Sequence, residues 1–160
     1  RCGAAGRRGN SGIRAVALLK RAAIFCEATV RQAMAETALI LIAHGAREPA
    51  WALPLRRVCD AVTARAPELR VELAFMELMP PNLGECAEKL MAEGYKRILV
   101  VPLFIARGGH LMRDIPEELA ALHEAHPDVT FELSAPVGES DAVVQAMAAH
   151  VLNMARQGNS

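Results

Sequence analysis

Four apolar runs, each followed by a segment with helical spacing, constrain the fold more than any other feature of this sequence. The first run, ALILIA at 38–43, is continuously apolar, which is typical of a strand buried on both faces of a parallel sheet. The later runs are LRVELAF at 69–75, RILVVPLF at 97–104 and VTFELS at 129–134. Strands and helices that alternate through short connections predict an α/β fold, in which helices cover both faces of a four-stranded parallel sheet.

The segments that follow the strands have the apolar spacing of helices. Pro54 falls in the first turn of the first helix, where proline is tolerated, and the second helix ends near Gly94. Asp114 and Glu117 form a candidate capping box ahead of the third helix, and Ser140 precedes the fourth. The predicted apolar stripes, in chain order, are Trp51, Leu55, Val58 and Val62; Leu83, Cys86, Ala87, Leu90 and Met91; Ile115, Leu119 and Leu122; and Val143, Met147, Val151 and Met154.

Two of the predicted strands lead into turns that contain a histidine. His44 follows the first strand directly, and His110 follows the third strand after a pair of glycines. In open parallel sheets, ligands bind beyond the carboxyl ends of the strands, where the strand order reverses. A strand order of 2-1-3-4 would place both histidines on one edge, with Glu77 beside them after the second strand. The spacing therefore favours a metal site, although either histidine alone is equally well explained by a hydrogen bond to a backbone group.

Several classes of protein are excluded or disfavoured because their motifs are missing. The sequence has no G-x-x-x-x-G-K-[ST] phosphate loop, no G-x-G-x-x-G and no G-x-S-x-G, which argues against ATP-driven chemistry, dinucleotide binding and hydrolase chemistry. A strand ending in His-Gly also occurs in histidine phosphatases, but these need arginine before the histidine, where this chain has Ala43. Because the formal net charge is zero, the composition predicts binding neither to nucleic acid nor to a membrane surface.

The first 33 residues differ in composition from the rest of the chain. They carry seven Lys or Arg and one acidic residue, whereas the whole chain has 18 of each class. We therefore interpret residues 1–33 as a basic extension outside the fold and residues 34–160 as a single domain. A helix over 13–33 and a targeting segment are the alternatives.

Four cysteines, Cys2, Cys26, Cys59 and Cys86, form no C-x-x-C pair. Reduced thiols in a cytoplasmic protein are the simplest interpretation. Cys59 and Cys86 fall on apolar helix faces, where cysteine acts as a small hydrophobic residue. No apolar run approaches the roughly 18 residues that are needed to span a bilayer.

Taken in order, the segments LILIAHGARE, FMELMPP, VVPLFIARGGHLMRDIPEEL and APVGES resemble the short sirohydrochlorin chelatases, the small cobaltochelatase type of the class II chelatases. The resemblance covers residues 37–156, and the ordered set is far more specific than a His-Gly pair. Members of this length resemble half of the longer two-domain chelatases. The resemblance therefore implies one chelatase-like domain that works as a homodimer.

The resemblance also implies a reaction, the insertion of a divalent metal into sirohydrochlorin without ATP, in cobalamin or sirohaem biosynthesis. The metal is a substrate, Co²⁺ first with Fe²⁺ or Ni²⁺ as alternatives, and no nucleotide takes part. His44 and His110 would be the metal ligands, and His44 would also accept a pyrrole proton. Glu77 is the candidate for a third ligand or a second proton acceptor. A non-catalytic metal or tetrapyrrole carrier on the same fold is the alternative function.

The substrate is a tetrapyrrole that bears many carboxylates, which arginine side chains can bind. Arg47 and Arg113 flank the histidines, although solvated surface charges are an equally ordinary role for them. By the resemblance, the loop after the third strand would contact the macrocycle. Its predicted contact residues are Ile105, Ala106, Arg107, Gly108 and Gly109.

Overall fold

The computed structural model describes residues 36–106 and 111–157, so the predictions for residues 1–33 and for the turn 107–110 lie outside the described residues. Four strands form one parallel sheet in the order β2-β1-β3-β4. The predicted α/β fold and strand order are therefore confirmed, and β1 and β3 are neighbours. The strands are β1 (Thr37–Ala43), β2 (Arg70–Phe75), β3 (Arg97–Pro102) and β4 (Thr130–Leu133).

Each strand is followed by a helix, as the apolar spacing predicts. Two short 3-10 helices, Pro49–Ala52 and Val137–Glu139, precede the first and the last of these helices. In the described parts of the chain, no helix combines the length and the apolar character needed to cross a membrane. The helices are α1 (Leu53–Arg65), α2 (Leu83–Ala92), α3 (Leu111–Ala125) and α4 (Asp141–Gln157).

The core lies on both faces of the sheet because β1 is buried on both of its faces. Ile40 and Ile42 belong to one apolar cluster, which α2 and α3 complete. Leu39 and Leu41 point to the other face and pack in a second cluster with residues of α1. Burying each such side chain is worth about 1.5–3 kcal/mol, so the uninterrupted apolar run is what fixes β1 in the centre.

Most predicted helix boundaries agree with the structure, but the start of α3 does not. Pro54 lies in the first turn of α1, and Gly94 follows α2 with a φ of +97°. The predicted capping box at Asp114 is wrong because α3 already begins at Leu111. Asp114 therefore lies inside the first turn, where a carboxylate interacts favourably with the helix dipole. The helix continues through Pro116.

The last helix begins where the sequence predicts, but its apolar stripe does not face the core of this domain. The carbonyl oxygen of Ser140 accepts a hydrogen bond from the Val144 N–H at 3.1 Å. None of the α4 residues is buried. Met147, Val151 and Met154 keep 38%, 63% and 60% of their surface exposed. In the single chain, α4 therefore presents an apolar surface to solvent.

Ion pairs within the described residues gather at the amino ends of the strands. Arg70, at the start of β2, binds both Glu72 and Glu93. The start of β3 contributes two further pairs, Lys96–Asp128 and Arg97–Glu132. These interactions connect neighbouring elements at the edge of the sheet that is opposite His44.

Candidate functional site

The carboxyl edge of the sheet brings together the residues that follow β1 and β3. His44 is the first residue after β1, and its side chain is exposed. Pairing between the two strands continues beyond β3, because the Leu103 N–H donates to the Ile42 carbonyl oxygen at 2.8 Å. The chain then leaves the sheet at Ile105, which keeps 61% of its surface exposed. His44 and the start of the predicted substrate loop therefore emerge from neighbouring strands.

A buried aromatic ring supports the imidazole of His44. The centroids of the Phe104 and His44 rings are 4.6 Å apart, with the ring planes at 44°. Phe104 keeps only 3% of its surface exposed and belongs to the apolar cluster beneath α2 and α3. The imidazole thus has a fixed neighbour on the side of the core, while it remains accessible from solvent.

Glu77 lies beside His44, as the predicted strand order requires. The Met76 N–H donates to the Ala43 carbonyl oxygen at 2.9 Å, and the Glu77 N–H donates to the His44 carbonyl oxygen at 3.0 Å. The backbone after β2 therefore runs along the backbone after β1, and the Glu77 side chain is exposed at the same edge. A carboxylate and an imidazole on adjacent segments suit both metal binding and proton acceptance.

Gly45 allows these two segments to approach each other. Its φ is +94°, a conformation that L side chains rarely adopt. A β-carbon at this position would lie 1.9 Å from the Glu77 carbonyl oxygen and 3.1 Å from its carbon. The His-Gly pair of the sequence thus has a structural basis, because the residue after His44 needs both the conformation and the small size of glycine.

A second glycine, Gly138 of the APVGES segment, contacts the other side of the site. Its N–H donates to the Phe104 carbonyl oxygen at 2.9 Å. A β-carbon on Gly138 would lie 1.9 Å from the Ile105 carbonyl oxygen. Sequence reasoning missed both Phe104 and Gly138, since Phe104 has the appearance of an ordinary strand residue. The only signal for Gly138 was its presence in a segment that carried the resemblance.

The remaining predicted site residues divide into two groups. Arg47, Ala106 and Arg113 are exposed. Within residues 36–106 and 111–157, no three His, Cys, Asp or Glu side chains are grouped so that they could hold a metal ion. The pairing of His44 with His110 stays a prediction because part of the loop lies outside the described residues, namely Arg107, Gly108, Gly109 and His110.

Cys59, Cys86 and His123 have structural roles outside the candidate site. Cys86 is buried, and desolvation raises the pKa of its thiol to about 11. Burial also raises the pKa of the Cys59 thiol. Thiols of this kind are poor nucleophiles, which agrees with their predicted role as small hydrophobic residues. The Nδ1 atom of His123 lies 3.1 Å from the Val129 carbonyl oxygen, so this side chain contacts the segment that leads into β4.

Known proteins match this chain over most of the described residues. The sequence pattern of the CbiX family matches residues 38–153. The sirohydrochlorin cobaltochelatase of Methanocaldococcus jannaschii is 37% identical over 89 residues, which are 56% of this chain and 62% of the relative. The sirohydrochlorin cobaltochelatase of Sulfurisphaera tokodaii is 30% identical over 123 residues, which are 74% of this chain and 93% of the relative. This chain therefore spans about three fifths of the first relative and nearly all of the second.

Two solved structures share the fold. A cobalamin (vitamin B12) biosynthesis CbiX protein from Marinobacter aquaeolei matches with a TM-score of 0.67 and 27% identity, over 76% of this chain and 98% of that chain. The sirohydrochlorin chelatase SirB from Bacillus subtilis subspecies spizizenii, in complex with cobalt, matches with a TM-score of 0.64 and 27% identity. That match covers 73% of this chain and 50% of SirB. By its sequence pattern, its parallel sheet and these similarities, the chain belongs to the CbiX family.

Proposed function

We propose that this protein is a sirohydrochlorin chelatase, a lyase that inserts a divalent metal into the tetrapyrrole without ATP. The observation that carries the proposal is the exposed His44 at the carboxyl edge, beside Glu77 and the start of the loop after β3. Family membership supports the same reaction, because matched relatives are named sirohydrochlorin cobaltochelatases and another is named a sirohydrochlorin ferrochelatase.

His44 has the chemistry that metal insertion needs. A neutral imidazole binds Co²⁺, Fe²⁺ and Ni²⁺, and an exposed ligand leaves coordination positions open to the macrocycle nitrogens. Insertion exchanges the M²⁺ ion for two pyrrole protons, so two protons must leave the tetrapyrrole. We assign to His44 the roles of metal ligand and proton acceptor, since a histidine near neutral pH can do both.

The other site residues complete the proposal. His110 would be the second metal ligand, and Glu77 would accept the second proton or bind the metal during transfer. Arg47 and Arg107 would pair with substrate carboxylates, while the backbone of Ile105, Ala106, Gly108 and Gly109 would lie against the macrocycle. The exposure of Arg47, Ile105 and Ala106 at the carboxyl edge supports these roles.

We propose Co²⁺ as the metal substrate, with Fe²⁺ and Ni²⁺ as competitors. The names of the matched relatives include both cobaltochelatase and ferrochelatase. Nitrogen and carboxylate ligands do not by themselves separate these ions, because affinity for such sites follows a common order. Initial rates with each metal alone, and then in competition, would rank the three ions.

We also propose that two copies of the chain form a homodimer in the cytoplasm. The apolar surface of α4 supports this assembly, because five of its large side chains are exposed in the single chain: Val144, Met147, Val151, Leu152 and Met154. The match to SirB covers half of that protein, which is consistent with two copies of a short chain replacing one long chain. Closed two-fold symmetry is the commonest way to bury such a surface.

Metal insertion by purified variants tests the proposed function. We expect the wild-type protein to convert sirohydrochlorin and Co²⁺ to the metallated product over many turnovers, followed by the change in absorbance. His44→Ala should lose at least about 100-fold in rate, as expected for a group that acts in general base catalysis. His126→Ala, at the end of α3 near the opposite edge, is the matched control and should retain the wild-type rate.

Two results would contradict this function. Stoichiometric binding of the metal or the tetrapyrrole without turnover by the wild-type protein would favour the carrier alternative. A folded His44→Ala variant with the wild-type rate would exclude His44 as the central residue of the site. Circular dichroism of each variant establishes that a lost rate does not come from unfolding.

A further inference from the structure

We propose that Phe104 and Gly138 are positioning residues for His44, with Gly138 fixing the backbone that places the Phe104 ring against the imidazole. The inference rests on the proposed function, in which His44 binds the metal. It adds two residues that lie outside the predicted metal and substrate contacts. One of them, Gly138, would act on the site through the backbone of Phe104 and Ile105.

The ring of Phe104 contacts the imidazole ring of His44. His44 is exposed and follows a strand end directly, so the strand alone does not select one orientation of its side chain. The Phe104 ring lies 4.6 Å away, centroid to centroid, at a tilt of 44°. Tilted and edge-on arrangements at this distance are favourable for aromatic pairs. The ring therefore limits the orientations that the imidazole can adopt.

The position of Phe104 is fixed by its packing and by one hydrogen bond of its backbone. Its side chain is 3% exposed and packs in the apolar cluster with Ile115. Its backbone lies past the end of β3, so the ladder of the sheet no longer holds it at this residue. The Gly138 N–H donates to the Phe104 carbonyl oxygen at 2.9 Å. This hydrogen bond takes the place of the strand pairing that ends before Phe104. The 3-10 helix Val137–Glu139 thus holds the backbone of Phe104 in place.

Gly138 also lies in close contact with the main chain of Ile105. A β-carbon on Gly138 would lie 1.9 Å from the Ile105 carbonyl oxygen and 2.4 Å from both its carbonyl carbon and its Cα. All three are main-chain atoms, so no side-chain rotation can relieve the overlap. The φ of Gly138 is outside the left-handed region. Alanine at this position would therefore act through the displaced backbone alone.

Gly84 provides a matched control for this substitution. It also has a φ outside the left-handed region, and among the described residues a β-carbon there would meet Asn82 Oδ1 at 3.5 Å and Glu118 Oε1 at 3.7 Å. These are ordinary contact distances. Gly84→Ala consequently reports the effect of adding a methyl group to the chain without displacing the backbone near His44.

Nuclear magnetic resonance of the metal-free protein, with ¹³C-labelled histidine, is the first readout. The Phe104 ring should shift the His44 ring resonances through its ring current. Phe104→Leu, which keeps an apolar side chain in the core, should move these resonances and leave those of His123 in place. Gly138→Ala should also move the His44 resonances, because the displaced backbone of Phe104 and Ile105 would carry the Phe104 ring with it. Gly84→Ala should leave them unchanged.

Metal binding and turnover form the second readout. We expect Phe104→Leu and Gly138→Ala to weaken Co²⁺ binding several-fold and to lower kcat about 10-fold, which corresponds to a modest misplacement of a reacting group. The KM for sirohydrochlorin should change less than two-fold in Phe104→Leu, because Phe104 is buried. In Gly138→Ala it should rise, since Ile105 is displaced at the substrate loop.

The outcomes separate this proposal from the proposed function. A wild-type protein without turnover would contradict the chelatase function, while the His44 resonances and the Co²⁺ affinity would still decide the role of Phe104 and Gly138. A folded Phe104→Leu variant with wild-type resonances or wild-type kcat would overturn the positioning role. If Gly138→Ala fails to fold, Phe104→Leu decides alone. A lower Tm with unchanged His44 resonances would show a structural role only.

Discussion

The carbonyl oxygen of Glu77 lies 1.9 Å from the point that a β-carbon on Gly45 would occupy. The segments after β1 and β2 therefore leave no room for a side chain at position 45. This contact places the residue after His44 directly against the backbone of Glu77, whose N–H donates to the His44 carbonyl oxygen. Any side chain at position 45 would separate the two candidate catalytic residues.

Replacing Gly45 with alanine should therefore lower both stability and metal insertion. Gly94→Ala is the matched control, because its φ of +97° is nearly that of Gly45 at +94° and its β-carbon would meet none of the described residues within 4 Å. Both variants bear the strain of alanine at positive φ, about 1–2 kcal/mol. Only Gly45→Ala should also lose at least about 10-fold in turnover.

Thermal unfolding and steady-state rates of the two variants measure these effects. If Gly45→Ala and Gly94→Ala lose the same Tm and retain the same rate of metal insertion, the contact of position 45 with Glu77 has no functional consequence. A Gly45→Ala rate at the wild-type level would contradict the proposed role of this close approach in turnover.

The shared-metal arrangement predicts how two histidine substitutions combine. If His44 and His110 bind one ion, each alanine variant loses most of the metal insertion, and His44→Ala is the more severe because it also removes the proton acceptor. The double variant should then be little worse than His44→Ala, since residues that act as a unit are not additive. Titration with Co²⁺ and insertion assays measure both effects. A fully active, folded His110→Ala protein would exclude the shared site.

The apolar surface of α4 predicts where the proposed homodimer forms. Val151→Lys combined with Met154→Lys should convert the dimer to monomer at micromolar concentration, because two charges would have to be buried in the interface. Both side chains are at least 60% exposed in the single chain, so the fold of the domain should persist. Asn153→Lys, at an exposed position on the other side of the same helix, is the control and should stay dimeric.

Sedimentation velocity distinguishes the outcomes of that experiment. A wild-type monomer with full activity would exclude the homodimer, whereas a double-lysine variant that remains dimeric would place the interface elsewhere.

The buried thiol of Cys86 predicts a loss of stability at alkaline pH. Its pKa rises from 9.0 to about 11 in the folded protein, so the folded state holds the proton more tightly than the unfolded state. The resulting stabilisation is complete below pH 9 and is lost as the pH rises towards 11. Thermal unfolding between these pH values should therefore show a smaller decline in Cys86→Ala than in the parent protein. Identical declines would contradict the shifted pKa.

Removing residues 1–33 should leave Tm and turnover nearly unchanged. The seven Lys or Arg and one acidic residue of this segment set its composition apart from the rest of the chain, which favours an extension outside the fold. The truncated protein and the full chain should have equal activity per mole and a Tm within a few degrees. A large fall in Tm on truncation would show that the extension belongs to the fold.

The sheet could be predicted from the sequence because its signal is local. The run 38–43 is apolar at every position, and short connections leave few topologies for four parallel strands. The position of Glu77 beside His44 then follows from strand order alone. Because β1 is buried on both faces, it lies in the centre of the sheet, and the candidate site lies at its carboxyl end.

The contacts that shape the site could not be predicted because they depend on tertiary distances. Phe104 differs in no visible way from other apolar strand residues, and a close contact at Gly138 leaves no trace in composition. The predicted start of α3 was wrong because a capping box is only a local sequence pattern. In the structure the helix already includes Leu111 and therefore begins before Asp114. The exposure of α4 was missed since an amphipathic stripe does not reveal which molecule covers it.

The ion pairs that stabilise the fold lie at the amino ends of the strands, whereas the candidate functional site lies at their carboxyl ends. Arg70 with Glu93 and Arg97 with Glu132 connect elements at the edge opposite His44, so changes there leave the candidate site untouched. Further ion pairs introduced at the amino ends of the strands could therefore stabilise the protein against unfolding. The opposite edge would stay free to be redesigned for another metal or another macrocycle.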